Sequence, residues 1–125
     1  MSKRILIIDD NPNNRQLVGD ILTYHGYEVL YACDGAIGIA MARELRPHLI
    51  LMDIQMPVLD GIAALGTLRA DPATRGVKVI GLTALAMKGD EARVLAAGFD
   101  GYIAKPILTR ELPRIVSHYL LEGQP

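Results

Sequence analysis

The chain has 125 residues, enough for one domain with its own hydrophobic core, and its single cysteine, Cys33, excludes an internal disulfide. Half of the residues are hydrophobic and 22% are charged, with a formal net charge of -1. This balance provides no basic surface for nucleic acid, and no apolar run is long enough for a signal peptide or a membrane span. We therefore expect a cytoplasmic protein that binds neither nucleic acid nor a membrane.

Five short runs rich in Ile, Val and Leu predict β-strands. In chain order they cover residues 4–9, 28–33, 49–53, 77–83 and 101–105. Between and after these runs, apolar residues recur at the spacing of an amphipathic helix. The first predicted helix contains Leu17 to Leu22 and stops at Gly26, and the second has Asp34 as its N-cap and ends before Pro47. The third starts near Asp60, where Asp60 can act as the cap. The fourth covers Glu91 to Ala97 with Gly98 as the stop, and the last covers Thr109 to Leu121.

Five strand–helix units with continuous apolar strands predict an α/β fold, in which helices cover both faces of a parallel sheet. The expected organisation is one domain over residues 1–125 with no output domain.

One residue is unusual, because Pro113 lies inside the last predicted helix. With Thr109 as the N-cap, Pro113 falls in the first turn, where no N–H bond is lost, whereas an earlier start would kink the helix.

Polar residues stand at the ends of four of the predicted strands. Asp9 and Asp10 end the first strand, Asp53 the third, Thr83 the fourth and Lys105 the fifth. In a parallel sheet these ends share one edge, which is where open α/β sheets bind their ligands. Each residue alone also fits a structural role, such as a helix cap. Their combination favours a single site assembled from distant parts of the chain.

The residue types at this edge suggest phosphoryl chemistry. Three carboxylates in one crevice repel each other, and a divalent cation together with Lys105 would relieve that repulsion. Oxygen ligands suit Mg²⁺ or Mn²⁺, and the dispersed His25, His48 and His118 form no zinc motif. An aspartate can act as a nucleophile toward phosphorus. The metal and Lys105, with a hydroxyl such as that of Thr83, could then stabilise the phosphoryl oxygens.

From residue 4 to about residue 121, the chain resembles a response-regulator receiver domain of two-component signalling. The markers are the acid pair after ILII, the block LILMDIQMPVLDG at 49–61, Thr83-Ala84, and YIAKP at 102–106. The stretch AMKGD at 86–90 is similar to the single-domain DivK type. This resemblance implies a flavodoxin-like (βα)5 fold, with a doubly wound five-stranded parallel sheet in the order 2-1-3-4-5.

The resemblance also implies a role for each acidic site residue. Asp53 would be the phosphoacceptor. Asp10 and Asp53 would bind the metal directly, together with the backbone carbonyl of Gln55, and Asp9 would act through metal-bound water.

The remaining implied roles concern the phosphoryl group and the switch. Thr83 and Ala84 would bind phosphoryl oxygens, and Lys105 would pair first with Asp53 and then with the phosphoryl group. Tyr102 would be the aromatic switch that turns inward when Thr83 moves, although a strand tyrosine is more often ordinary packing. The bond between Lys105 and Pro106 would be cis.

The expected function is a phosphorylation-activated switch of a two-component or phosphorelay system, not an enzyme that turns over external substrates. A histidine kinase or histidine phosphotransfer protein would phosphorylate Asp53. The signal would then pass to a target protein through the face formed by helix 4, strand 5 and helix 5.

Two other classes use a similar sheet. A phosphatase of the haloacid dehalogenase type has a second aspartate two residues after its nucleophile, but here Gln55 follows Asp53 and Asn11 follows Asp9. The sequence also contains no cap insertion to enclose a substrate. A flavin or nucleotide binder needs a neutral or positive phosphate loop after the first strand, and DDNPNN is acidic there.

Overall fold

The computed structural model describes residues 3–54, 60–83, 90–105 and 109–122 and contains five strands alternating with five helices. The strands are β1 (Arg4–Ile8), β2 (Glu28–Ala32), β3 (Leu49–Asp53), β4 (Lys78–Thr83) and β5 (Gly101–Ala104). The helices are α1 (Pro12–Tyr24), α2 (Gly35–Leu45), α3 (Gly61–Ala70), α4 (Asp90–Ala96) and α5 (Glu111–Glu122). In the part of the chain that is described, no helix combines the length and the apolarity needed to cross a membrane.

All strand pairs are parallel, and the sheet order is β2-β1-β3-β4-β5, which confirms the predicted topology. The chain leaves β1 for β2 on one side and then crosses to β3 on the other side. The strand order therefore reverses between β1 and β3. In open α/β sheets, the crevice at this reversal point is the usual ligand site.

The sheet separates two hydrophobic layers, and β3 contributes to both of them. Ile50 and Met52 face the layer covered by α2, α3 and α4, whereas Leu49 and Leu51 face the layer covered by α1 and α5. All five residues of β3 are buried. A strand buried on both faces needs apolar residues at every position, which explains the unbroken LILM run before Asp53.

The helix ends agree with most of the sequence predictions. The carboxylates of Asp34 and Asp60 accept hydrogen bonds from the N–H groups of Ile37 and Ala63, each at 2.8 Å, so both predicted N-caps are confirmed. Gly26 and Gly98 have φ values of 92° and 112°, which suits their positions just beyond the helix ends.

One helix end differs from the sequence predictions, and another has an unusual backbone conformation. Helix α5 begins at Glu111, so Thr109 is not its N-cap. Pro113 is then the third residue of the helix, where its missing N–H costs no intrahelical bond. Arg46 ends α2 with a φ of 48°, a backbone conformation that a non-glycine residue rarely adopts. Its carbonyl accepts a 2.9 Å hydrogen bond from the guanidinium of Arg4.

Arg69 and Asp100 tie together the edge of the sheet opposite the polar strand ends. The Arg69 guanidinium donates to the carbonyls of Val77 and Gly98 at 2.6 and 3.3 Å, and to the Asp100 carboxylate at 2.8 Å. The same Asp100 oxygen accepts the N–H of Val79 at 2.8 Å. The end of α3 is thereby joined to the beginnings of β4 and β5.

Gly61 allows α3 to begin directly against the end of β3. Its N–H donates to the Ile54 carbonyl at 2.9 Å. A Cβ atom at this position would lie 2.6 Å from the Cα of Ile54 and 2.8 Å from the carbonyl oxygen of Asp53. Both neighbours are backbone atoms, which cannot rotate away, so only glycine fits without a shift of the chain that carries Asp53.

We expect Gly61→Ala to lower the free energy of unfolding by about 1–3 kcal/mol, the usual cost of overpacking. Gly66→Ala in the same helix is the matched control, because a Cβ there meets no described atom within 4 Å. That control should stabilise the protein by up to about 1 kcal/mol through helix propensity. Urea denaturation of both variants provides the measurement, and equal effects of the two substitutions would contradict the steric explanation.

Candidate functional site

The carboxylates of Asp9, Asp10 and Asp53 meet at the edge where β1 and β3 end. Asp9 and Asp10 directly follow β1, and Asp53 is the last residue of β3. One carboxylate oxygen from each residue lies within 4.8 Å of the other two. Asp9 is completely buried and Asp53 is 5% exposed, whereas Asp10 is exposed. The sheet therefore brings the three predicted acids together, with one of them open to solvent.

Lys105, which follows β5 two strands away from β3, brings a positive charge to the carboxylates. Its Nζ atom donates to Asp53 Oδ2 at 3.0 Å and lies 3.7 Å from Asp9 Oδ2. The backbone N–H of Lys105 donates to the Thr83 carbonyl at 2.9 Å, which anchors the residue beyond the end of β5. Parallel pairing of β3, β4 and β5 thus places a lysine against an aspartate 52 positions away.

Asp9 is the most deeply buried of the three carboxylates. Its Oδ1 accepts the N–H of Asn11 at 2.9 Å, but its buried Oδ2 accepts no hydrogen bond from the part of the chain that is described. Burial raises the pKa of Asp9 above that of an ordinary carboxyl group, and the nearby charge of Asp53 raises it further. The hydrogen bond from Asn11 and the charge of Lys105 act in the opposite direction.

These residues fit a divalent cation with oxygen ligands. Among the described residues, Lys105 is the cation that contacts these side chains, so three clustered carboxylates face one ammonium group. The buried Oδ2 of Asp9 accepts no hydrogen bond from the described residues, and a buried oxygen without a hydrogen bond is costly, so a cation ligated there would stabilise it. Carboxylate oxygens are the ligands that Mg²⁺ and Mn²⁺ prefer, and Mg²⁺ usually keeps several waters, for which the exposed side of Asp10 leaves access.

Thr83 and Tyr102 lie on the two strands beyond β3. Thr83 is 5% exposed and ends β4, the strand that pairs with β3. Tyr102 is half-buried in β5 and pairs with Gly81, two residues before Thr83. Its ring lines an open cleft of about 460 Å³ together with Ile115 and other residues of α5. Tyr102 also packs against the hydrophobic layer on the opposite face of the sheet, which includes Val94 of α4.

The other predicted site residues, Gln55, Ala84 and Pro106, lie outside the described residues. The three histidines stand apart from the carboxylates. His48 accepts the backbone N–H of Arg4 on Nδ1 at 2.9 Å, and His118 stacks edge-on against Tyr119. Burial, reinforced by the charges of Lys3 and Arg4, lowers the pKa of His48, which favours the neutral acceptor form.

The contacts of two residues beside the site were not predicted from the sequence. The Asn11 side chain caps α1 by accepting the N–H groups of Asn13 and Asn14 at 2.9 and 3.3 Å. The order Asn-Pro is a usual N-cap and N1 pair, so this cap was detectable. Arg15 donates from Nη1 to the carbonyl of Asp9 at 2.7 Å. Nothing in the residue spacing indicates that bond.

Comparison with known proteins agrees with the fold. Residues 5–117 match the family model described as response regulator receiver domain. The chain belongs to this family and is a phosphorylation-activated signalling switch. Domains of this family take phosphoryl groups from histidine kinases and signal to protein partners.

Among the similar proteins is the polar-differentiation response regulator DivK of Brucella anthropi, which is 40% identical over 96% of this chain and 98% of the relative. The receiver domain of a Pseudomonas aeruginosa sensor histidine kinase has a TM-score of 0.87 and 38% identity, covers 96% of this chain and 98% of its own, and contains a magnesium ion in its active-site cleft. A CheY-like receiver protein of Methanospirillum hungatei has a TM-score of 0.89 and 32% identity, with coverage of 98% and 97%.

We expect Asp9→Asn to raise the melting temperature of the metal-free protein at neutral pH by a few degrees. The folded state binds a proton on Asp9 more tightly than the unfolded chain does, so the ionised group costs stability above the ordinary carboxyl pKa. A gain of about 1 kcal/mol corresponds to about 2–8 °C for a domain of this size. The gain should shrink as the pH falls through the raised pKa toward the ordinary one, because Asp9 is then protonated.

Thermal melts followed by circular dichroism in chelator provide the measurement. Asp10→Asn is the matched control, since its exposed charge costs little and its removal should change the melting temperature less. An unchanged or lower melting temperature for Asp9→Asn at neutral pH would contradict the electrostatic cost assigned to Asp9.

Proposed function

We propose that Asp53 is the residue that accepts the phosphoryl group. The observation that supports this most directly is the 3.0 Å contact between its Oδ2 and the Lys105 ammonium, at the end of a central strand and beside two other carboxylates. Lys105 places its ammonium group against one oxygen of Asp53, and a carboxylate is a nucleophile toward phosphorus. Asp10 is exposed and Asp9 points its free oxygen toward Lys105, so neither has the same pairing.

We also propose that Asp10 and Asp53 hold Mg²⁺ or Mn²⁺, with Asp9 acting through a water and the carbonyl of Gln55 as a further ligand. The buried Oδ2 of Asp9, which accepts no hydrogen bond from the described residues, and the clustering of three carboxylates support this assignment. The magnesium ion in the similar Pseudomonas aeruginosa receiver domain supports it as well. When bound, such a cation neutralises negative charge on carboxylate and phosphoryl oxygens.

The protein's own groups would act as follows. An oxygen of Asp53 forms a bond to phosphorus while the bond between phosphorus and an imidazole nitrogen of the donor breaks. The Lys105 ammonium moves its hydrogen bond from Asp53 to a phosphoryl oxygen, and the Thr83 hydroxyl donates to a second. Hydrogen bonds to charged groups are worth about 1.5–3 kcal/mol each.

These contacts are large enough to operate a switch. The phosphoryl group adds a charge of about -1.5 to -2, taking phosphoserine as the guide. A shift from 1:99 to 99:1 between two conformations requires about 5.5 kcal/mol, which two or three such hydrogen bonds can supply. In this proposal Thr83 moves toward the phosphoryl group, Tyr102 turns into the space it leaves, and the face formed by α4, β5 and α5 changes shape for a target protein.

A histidine kinase or a histidine phosphotransfer protein is the proposed donor. The target is a protein that distinguishes the two states of the α4, β5 and α5 face. A cytoplasmic location, expected from the sequence, is part of the same proposal.

Incubation with Mg²⁺ and acetyl phosphate should add one phosphoryl group to the wild-type chain and none to Asp53→Ala, because the nucleophilic oxygen is then absent. Intact-protein mass spectrometry measures the addition. Asp20→Ala, which removes an exposed carboxylate from α1, is the matched control and should be labelled normally. Labelling of Asp53→Ala would refute the assignment, and rapid turnover of varied phosphate esters would favour a phosphatase instead.

Thr83→Ala should still be phosphorylated, but phosphorylation should no longer cause most of the change in hydrogen–deuterium exchange of β5 and α5. Asp53 and Lys105 remain in place, while the hydroxyl that moves toward the phosphoryl group is missing. Hydrogen–deuterium exchange before and after phosphorylation measures the response of each segment. Thr67→Ala on the exposed side of α3 is the control. A wild-type response in Thr83→Ala would exclude Thr83 as the link to Tyr102.

A further inference from the structure

Arg15 joins the first turn of α1 to the loop that carries Asp9 and Asp10. It is the fourth residue of the helix, and its backbone N–H donates to the Asn11 carbonyl at 3.0 Å, which closes the first turn. Its side chain folds back toward the sheet, where Nη1 donates to the Asp9 carbonyl at 2.7 Å. The guanidinium is half-buried, so the hydrogen bond is partly shielded from water.

The other polar atoms of Asp9 are also held, with one exception. Its N–H donates to the Ala32 carbonyl of β2 at 3.1 Å, and its Oδ1 accepts the N–H of Asn11 at 2.9 Å. Only Oδ2 accepts no hydrogen bond within the described residues, and it points toward Lys105 and the site. The direction of this free oxygen therefore depends on how the surrounding backbone is held.

The Asp9 carbonyl belongs to the planar peptide group that joins Asp9 to Asp10. β1 ends at Ile8 and the Asp9 N–H makes one more bond to β2, so the peptide group between Asp9 and Asp10 lies just beyond the backbone that the sheet holds. The hydrogen bond from Arg15 sets the rotation of the peptide plane. That rotation determines where the Asp10 carboxylate points relative to Asp9 and Asp53.

We propose that Arg15 is a positioning residue, which orients the carboxylates of Asp9 and Asp10 for a divalent cation through the Asp9 carbonyl. This inference rests on the metal site proposed above. The charge of Arg15 has the opposite effect to its hydrogen bond, because a guanidinium near the site repels a cation. Removal of the side chain therefore weakens metal binding if orientation dominates and strengthens it if charge dominates.

The test is a Mg²⁺ titration of the full chain, followed by the backbone amide shifts in ¹H–¹⁵N NMR spectra. Arg15→Met should weaken Mg²⁺ binding by about tenfold or more, the usual effect of removing a group that orients a metal ligand. Arg15→Lys keeps a cationic donor and should recover part of the loss. The amide shifts of Asp10 and Asn11 in metal-free protein should move in Arg15→Met.

Arg69→Met is the matched control, since it removes another arginine that donates to backbone carbonyls, at the opposite edge of the sheet. It should lower the melting temperature and leave Mg²⁺ affinity unchanged. Unchanged or tighter Mg²⁺ binding in Arg15→Met would overturn the proposal. If Arg15→Met does not fold, Arg15→Gln replaces it. The glutamine side chain is too short to reach the Asp9 carbonyl, so this variant should also bind Mg²⁺ more weakly.

A wild-type chain that binds no Mg²⁺ would refute the metal site itself and, with it, the role of Arg15. A wild-type chain that binds Mg²⁺ and an Arg15→Met variant that binds it equally well would refute only the role of Arg15. The two failures are therefore distinguishable in one titration series.

Discussion

The rest of the structure depends on an imbalance of charge at the edge where β1 and β3 end. Three carboxylates share this edge with the ammonium group of Lys105, and one carboxylate oxygen is buried without a hydrogen bond from the described residues. Such an arrangement is unfavourable by itself, because buried charge is costly unless it is paired. It persists since the two hydrophobic layers around β3 hold the strand ends in place. The folding energy of the core thus keeps three carboxylates together at one edge of the sheet.

Much of this arrangement follows from the sequence because it depends on periodicity and on strand ends. β3 was predicted with its observed bounds, since a strand buried on both faces leaves an unbroken apolar run that stops at Asp53. Parallel pairing predicted that Lys105 and Asp53 share one edge of the sheet, and the resemblance to receiver domains implied their direct pairing. Asp60 was recognisable as a cap by its residue type and position.

Other features left no such pattern. The hydrogen bond from Arg15 to the Asp9 carbonyl joins a side chain to a backbone atom, and carbonyls carry no residue-specific signal. The start of α5 was placed two residues early because Pro113 fits any position in a first turn. The left-handed backbone of Arg46 was also undetectable, since glycine or asparagine is the usual residue there.

The clamp formed by Arg69 and Asp100 has a mechanical consequence. It holds the beginning of β5 to β4 and α3, while the opposite end of the strand carries Lys105 into the site. A strand that is held at one end and pulled at the other should rotate about the held end, here at Asp100. If Lys105 moves its hydrogen bond to a phosphoryl group as proposed, the displacement of β5 should increase toward Lys105 and be smallest at Gly101.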